Sequence, residues 1–134
     1  MAISQAVAPH RYYAPDPSSQ IACSIGGNVA ENASGVHCLK YGLTVHNLLK
    51  IEVQTLDGEA LTLGSDALDS PGFDLLALFT GWEAVLGVTT EVTVKLLPKP
   101  PVARVLLASF DSVEKPDLQL VTSSPMALSP AGWR

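Results

Sequence analysis

Two glycine-marked loops are the stretches of this sequence whose residue types could hold a ligand. The first, Ser24-Ile25-Gly26-Gly27-Asn28-Val29-Ala30-Glu31-Asn32-Ala33, sets paired glycines ahead of good helix formers. Glycine lets a backbone come close to a bound molecule, and amides at a helix start present N–H groups to an anion such as a pyrophosphate. By itself such a pair is also what an ordinary tight turn uses. The second, Gly81-Trp82-Glu83-Ala84-Val85-Leu86-Gly87-Val88-Thr89, lies between an apolar run and a strand-like stretch, and its plain reading is a helix-to-strand connection. Other signatures of chemistry are missing. There is no G-x-G-x-x-G fingerprint, no G-x-x-x-x-G-K-[ST] loop and no G-x-S-x-G elbow. His10, His37 and His46 lack metal-ligand spacing and read as surface or satisfied histidines. Cys23 and Cys38 are too few for a disulfide framework and too far apart for a C-x-x-C zinc knuckle, so they read as two buried thiols.

Several elements must position these loops. Residues 2–8 suit a short helix that Pro9 ends, because its ring and missing N–H disfavour continuation. Tyr12-Tyr13-Ala14-Pro15-Asp16-Pro17-Ser18-Ser19 should be irregular, with two prolines, an Asp and two serines. After the first loop, Ser34-Gly35 should stop the helix, Gly35 supplying a left-handed C-terminal residue. Residues 49–55 and 60–63 flank Asp57-Gly58, a dipeptide that favours positive φ, and predict a hairpin. The apolar run 73–79 predicts about two turns of buried helix, although periodicity alone leaves a strand open. Residues 88–97 alternate β-branched and polar types and predict a strand. Pro98, Pro100 and Pro101 break it, and residues 102–110 resume as another. Strands joined partly by hairpins and alternating with short helices predict an α+β fold with a mainly antiparallel sheet.

Composition bounds the function classes. At 134 residues, 47% of them hydrophobic and 16% charged, the chain suits one buried-core domain or part of one. Aromatics are only 6%, so the core must be aliphatic. A net charge of -5 without any basic run argues against nucleic acid as a partner, since clustered Lys and Arg are needed to displace counterions from phosphates. No stretch approaches the roughly 18 to 20 apolar residues of a membrane span, and the N-terminus lacks the pattern of a signal peptide. The expected location is the cytoplasm.

Taken together and in order, the motifs resemble the FAD-linked oxidase family of the vanillyl-alcohol-oxidase and para-cresol-methylhydroxylase type, and within it the branch of bacterial glycolate oxidase flavoprotein subunits. The family pattern of Pro-Asp-Pro, Ser-Ile-Gly-Gly-Asn, Glu-Asn-Ala-Gly-Gly and Cys-Leu-Lys-Tyr-Gly stands here as Pro15-Asp16-Pro17, Ser24-Ile25-Gly26-Gly27-Asn28, Glu31-Asn32-Ala33-Ser34-Gly35 and Cys38-Leu39-Lys40-Tyr41-Gly42. Its Gly-Ser-Glu-Gly-x-Leu-Gly stands as Gly81-Trp82-Glu83-Ala84-Val85-Leu86-Gly87. The resemblance runs over about residues 2–115.

The resemblance implies FAD as cofactor. Ser24, Ile25, Gly26 and Gly27 would meet it mainly through backbone N–H groups, with Asn32, Ala33 and Gly35 continuing that wall. Glu83, Gly87 and Val88 would lie near its nucleotide half, and Pro15, Tyr41 and Gly42 complete the implied binding set. Ser34 and Ala84 replace family glycines, and Trp82 replaces a serine. A lost glycine that held positive φ would cost roughly 1 to 2 kcal/mol, and an indole at position 82 would take space beside the adenosine.

By the same resemblance, residues 1–115 form the second part of a PCMH-type FAD-binding domain. Complete members add an upstream half with its own glycine-rich loop and a downstream cap that carries the substrate-binding and proton-abstracting residues, so no residue of this chain is assigned a catalytic role. The implied partners are that missing half, the cap and other glycolate oxidase subunits. After Lys115 the resemblance stops, and residues 116–134 form a Pro- and Ser-rich tail expected to be poorly ordered. Loss of one base would turn the family's Lys-Ala-Gly-Leu-Ala-Val-Gly-Asp-Ile-Ile into Lys-Pro-Asp-Leu-Gln-Leu-Val-Thr-Ser-Ser, the sequence from Lys115 to Ser124. The expectation is a frameshift; the alternative is a divergent native terminus. Two functional readings follow: an FAD-holding segment of a 2-hydroxy-acid oxidase, or a truncated, catalytically inert product that does not hold FAD alone.

Overall fold

A computed structural model of the chain describes residues 2–67 and 72–102. Its centre is β2 (Leu48–Thr55), whose sequence alternates from Ile51 onward. Successive side chains of a strand point to opposite faces, so Ile51 and Val53 turn inward while Glu52 and Gln54 stay exposed. Strand β3 (Ala60–Gly64) pairs with β2 antiparallel, setting Leu63 opposite Ile51 and Leu61 opposite Val53. Asp57-Gly58 makes the turn as the sequence predicts. Only Gly58 takes positive φ, at 83°, and its N–H donates to the Thr55 carbonyl at 3.0 Å.

On the other side of β2 lies β4 (Gly87–Val94), also antiparallel, giving the order β3-β2-β4. Register shifts fall between Leu48 and Lys50 and between Glu52 and Val53. Such bulges bend a strand and sharpen its twist. The predicted strand 88–97 therefore divides. Its last residue belongs to β5 (Leu97–Pro98), which pairs with β1 (Arg11–Tyr12) in a separate two-stranded sheet. Tyr12, expected in an irregular segment, is instead strand, because Leu97 at the far end of the described chain supplies its partner. The antiparallel α+β architecture is as the sequence predicts.

Helix α1 (Ala2–Ala6) ends short of the predicted Ala8. Helix α2 (Ile25–Ala30) covers the inner face of the three-stranded sheet and packs Val29 against Leu48, Ile51, Val53 and Leu63. Short helix α3 (Cys38–Tyr41) and a 3-10 turn (Thr44–Asn47) lead into β2. Helix α4 (Leu75–Phe79) starts at Asp74, whose Oδ1 accepts the Ala77 N–H at 2.9 Å and so satisfies one free donor of the first turn. This helix is not the buried one the apolar run predicts. Leu76 and Phe79 join the core, whereas Leu75 and Leu78 are exposed, and Phe73 falls outside the helix at 90% exposure. An all-apolar run buries only the side that meets the sheet, and nothing among the described residues covers the other.

The end of α2 differs from the expectation as well. Asn32, at φ 47°, takes the left-handed position assigned above to Gly35. Ala33 N–H reaches back to the Asn28 carbonyl at 2.9 Å and Asn32 N–H to that of Val29 at 3.2 Å, the double bond of a Schellman motif. Asparagine tolerates this conformation better than most residues, so the helix stops before Ser34 and Gly35 are reached.

Among the described residues no helix is long and apolar enough to cross a membrane. The predicted strand 102–110, apart from Val102, and the tail 116–134 lie outside the described residues.

Candidate functional site

The two glycine-marked loops meet at the end of α2. The last carbonyls of a helix lack intrahelical donors, and here the second loop supplies them. Gly81 N–H donates to the Val29 carbonyl at 2.9 Å, and Glu83 N–H donates to that of Ala30 at 2.8 Å. Thr80, buried just before, donates its hydroxyl to the Leu76 carbonyl at 2.7 Å and closes α4. Ser24 caps the other end of α2, its Oγ accepting the Gly27 N–H at 3.0 Å.

A cleft of about 320 Å³ results, lined by both loops. From the first come Ser24, Gly26, Gly27 and Ala30; from the second come Trp82, Ala84, Leu86, Gly87, Val88 and Thr89, with Phe79 of α4 beside them. Glycines set its shape. A Cβ on Gly27 would lie 3.2 Å from Ser24 Oγ, and one on Gly87 would lie 2.8 Å from Val53 Cγ1, where the strand pair leaves no room. Glu83 and Ala84 hold φ of 51° and 64°, the left-handed region that L-residues resist, whereas Ser34 does not. Of the two replaced glycines, only position 84 therefore carries backbone strain.

Five of the residues singled out from the sequence line this cleft: Ser24, Gly26, Gly27, Gly87 and Val88. Ile25 lies in the same turn of α2, and Glu83 contributes its backbone bond to Ala30. Pro15, Asn32, Ala33, Gly35, Tyr41 and Gly42 fall outside the lining, and Asn32, Ala33, Gly35 and Tyr41 join a second, side-chain-held cluster. Within it, Asp16 Oδ1 accepts the His37 N–H at 3.2 Å while Oδ2 meets the His37 imidazole. A Cβ on Gly35 would come within 2.8 Å of the Asp16 backbone N, so the glycine is there for close approach. Asn32 Oδ1 accepts the Val45 N–H at 3.0 Å, and buried Thr44 donates its hydroxyl to the Ala33 carbonyl at 2.8 Å. Buried Asn47 donates to the carbonyls of Tyr41 and Leu43 at 2.8 and 2.9 Å.

Two phenols border this cluster. Burial pushes the Tyr13 hydroxyl up to about 12 against a smaller downward pull from the Thr44 side chain, and that oxygen makes no hydrogen bond of ordinary geometry among the described residues. Burial first, then a hydrogen bond that the Tyr12 hydroxyl donates to Tyr41, raises Tyr12 above the usual phenol range. Histidines behave as the sequence suggests, His46 Nδ1 accepting the Leu43 N–H at 3.0 Å. Cys23 and Cys38 are free thiols, half-buried rather than buried. No cluster of metal-ligating side chains occurs among the described residues. Leu86 and Thr89 fall in the second loop that the sequence singles out but outside the implied binding set, whereas Phe79 as lining and Thr44 and Asn47 as buried hubs carry no motif signal.

Comparison with known proteins decides the family. Residues 2–64 match the FAD binding domain family. Glycolate oxidase subunit GlcD of Escherichia coli K12 is 84% identical over 133 residues, which cover 98% of this chain and 27% of that protein. The chain belongs to the FAD-linked oxidase family. Glycolate oxidase subunit GlcD of Bacillus subtilis is 42% identical over 104 residues, 77% of this chain and 22% of the relative. The chain thus spans about a quarter of the length of these relatives. Among solved structures, an alkyldihydroxyacetonephosphate synthase superposes with a TM-score of 0.60 at 27% identity, covering 69% of this chain and 16% of that one.

The cleft fits part of a dinucleotide. Its volume lies at the small end of the roughly 300 to 1,000 Å³ of ligand pockets. Among the described residues its lining includes three glycines and two aromatic rings but no charged side chain, which suits a flat, uncharged ring better than a free anion.

Proposed function

We propose that this chain is an FAD-binding segment of a 2-hydroxy-acid oxidase or dehydrogenase, and that glycolate is the substrate of the whole protein to which it corresponds. The observation that carries the reading is the shared cleft: the family's two glycine motifs, far apart in sequence, line one groove. Ser24, Gly26, Gly27, Gly87 and Val88 hold the cofactor there by shape and backbone, with few charged side chains needed. The polar cluster around Asp16, Asn32 and Thr44 fixes the adjoining wall. When bound, FAD supplies the acceptor for the hydride that leaves the α-carbon of the hydroxy acid. Glycolate as substrate is supported by the two relatives named as glycolate oxidase subunits.

One observation favours a second reading, in which the chain alone is inert and does not retain FAD. Ile21, Leu56 and Phe73 are each 80% or more exposed, apolar area of the kind that an interface covers. In this reading the rest of an FAD domain docks on it and completes the groove. Gel filtration of the chain with excess FAD, followed by a visible spectrum, separates the two. Flavin co-eluting at one per chain supports the cofactor-holding reading; a colourless protein peak overturns it for the chain alone.

A further inference from the structure

Trp82 has a fixed place in the cleft. The residue before it is tied through Gly81 N–H to the Val29 carbonyl and the residue after it through Glu83 N–H to that of Ala30, while the Trp82 carbonyl accepts the Val85 N–H at 2.9 Å. Two consecutive left-handed residues then turn the chain away. A backbone anchored on both sides fixes the direction of the Cα–Cβ bond, so only the two torsions of a rigid indole remain to be ordered when something binds. The indole is nevertheless 44% exposed, and it shares the cleft with Gly26, Gly27 and Phe79.

An anchored, solvent-facing indole beside bare glycine backbone suits a flat aromatic ligand, because π faces stack and glycine leaves room for the ring. Without a charged side chain in the lining, a phosphate there gains no ion pair, so the ring carries recognition. We infer that Trp82 is a stacking platform for a planar heteroaromatic ring, where the family pattern has serine. The inference rests on the cofactor reading above and deepens it. FAD offers two such rings, isoalloxazine and adenine, and FMN and AMP present them separately.

The test uses the full chain carrying Trp133→Phe, which leaves Trp82 as the single indole of the sequence. Titration with FMN and with AMP should quench Trp82 emission saturably for one of them, and the effective ligand names the ring. By equilibrium dialysis, Trp82→Phe should bind that ligand within about threefold of the parent and Trp82→Leu about tenfold or more weakly, as expected for loss of one ring stack. Circular dichroism shows that each variant is folded. Absence of saturable quenching by both ligands in folded protein overturns the inference, as does a folded Trp82→Leu that binds as tightly as the parent. Should Trp82→Leu unfold, Trp82→Tyr replaces it as a second stacking variant, and a loss of about tenfold in both Phe and Tyr forms overturns the inference. FAD bound equally by the parent and Trp82→Leu would leave the cofactor reading standing and remove the stacking role. Quenching by FMN or AMP without any FAD binding would do the reverse.

Discussion

Two junctions hold the family motifs of this chain together, and they are built differently. At the α2 end, residues 81–83 attach to Val29 and Ala30 through backbone N–H and C=O groups alone. Around Asp16, the Pro-Asp-Pro segment attaches to residues 35–37 through a carboxylate that serves a backbone N–H and an imidazole at once. Backbone bonds are indifferent to side-chain identity, whereas a carboxylate clamp depends on one residue type. Trp82 and Ala84, two of the three departures from the family pattern, sit at the backbone junction, where the turn keeps its attachments in spite of them.

The largest effect should come from closing the space where the second loop leaves the backbone junction and enters the central strand pair. Gly87→Ala would set a Cβ 2.5 Å from the Gln54 carbonyl oxygen, and overpacking of that kind costs about 1 to 3 kcal/mol. Urea unfolding should show a loss near the upper figure; a midpoint unchanged from the parent would mean that the strand pair yields. At the clamp, Asp16→Asn keeps the shape and an oxygen acceptor but gives up its charge, so about 1 kcal/mol, the difference between a charged and a neutral bond, should disappear. An equal loss in Asp16→Asn and in a Trp82→Ser control would erase the distinction between side-chain and backbone attachment.

Tyr13 sharpens the comparison by pH. Its phenol is held at about 12 against an ordinary 10.0 by burial. The unfolded chain therefore ionises first, so stability from this group is complete below pH 10 and falls as pH rises toward 12. Tyr13→Phe should flatten that alkaline slope. Because the buried hydroxyl makes no hydrogen bond of ordinary geometry among the described residues, the same change should also leave stability at pH 7 unchanged or raise it by up to about 1 kcal/mol; a drop of about 1 kcal/mol would reveal that the oxygen bonds the nearby Thr44 side chain. The smallest effect belongs to Ala84→Gly. Relief of a left-handed alanine gains about 1 to 2 kcal/mol, offset by glycine's entropy of about 0.5 to 1, and thermal melting should move up by a few degrees.

Local signals were legible in the sequence and distant ones were not. The hairpin around Asp57-Gly58 and the short helix of the first glycine-marked loop follow from neighbouring residues, and both stand where the sequence puts them. The pairing of Arg11 and Tyr12 with Leu97 and Pro98 depends on segments far apart, and a two-residue strand has no periodicity to read. Gly35 was legible as a necessary glycine but not for its reason. Its neighbour in space is Asp16, which no helix-stop rule would name. Residues 81–87 could be singled out through the family pattern, whereas Phe79 reads in sequence as one more apolar residue of a run. Thr44 and Asn47 look like ordinary loop residues until their burial is known.

That both walls of the cleft hang from the end of one short helix has a kinetic consequence. The bonds from Gly81 and Glu83 to Val29 and Ala30 close a loop that encloses the whole hairpin. Contacts so distant along the chain form only after intervening segments are ordered, since their closure entropy comes due before any reward. The groove should therefore be a late product of folding, acquiring protection from amide exchange after the hairpin and opening before it when the molecule begins to unravel.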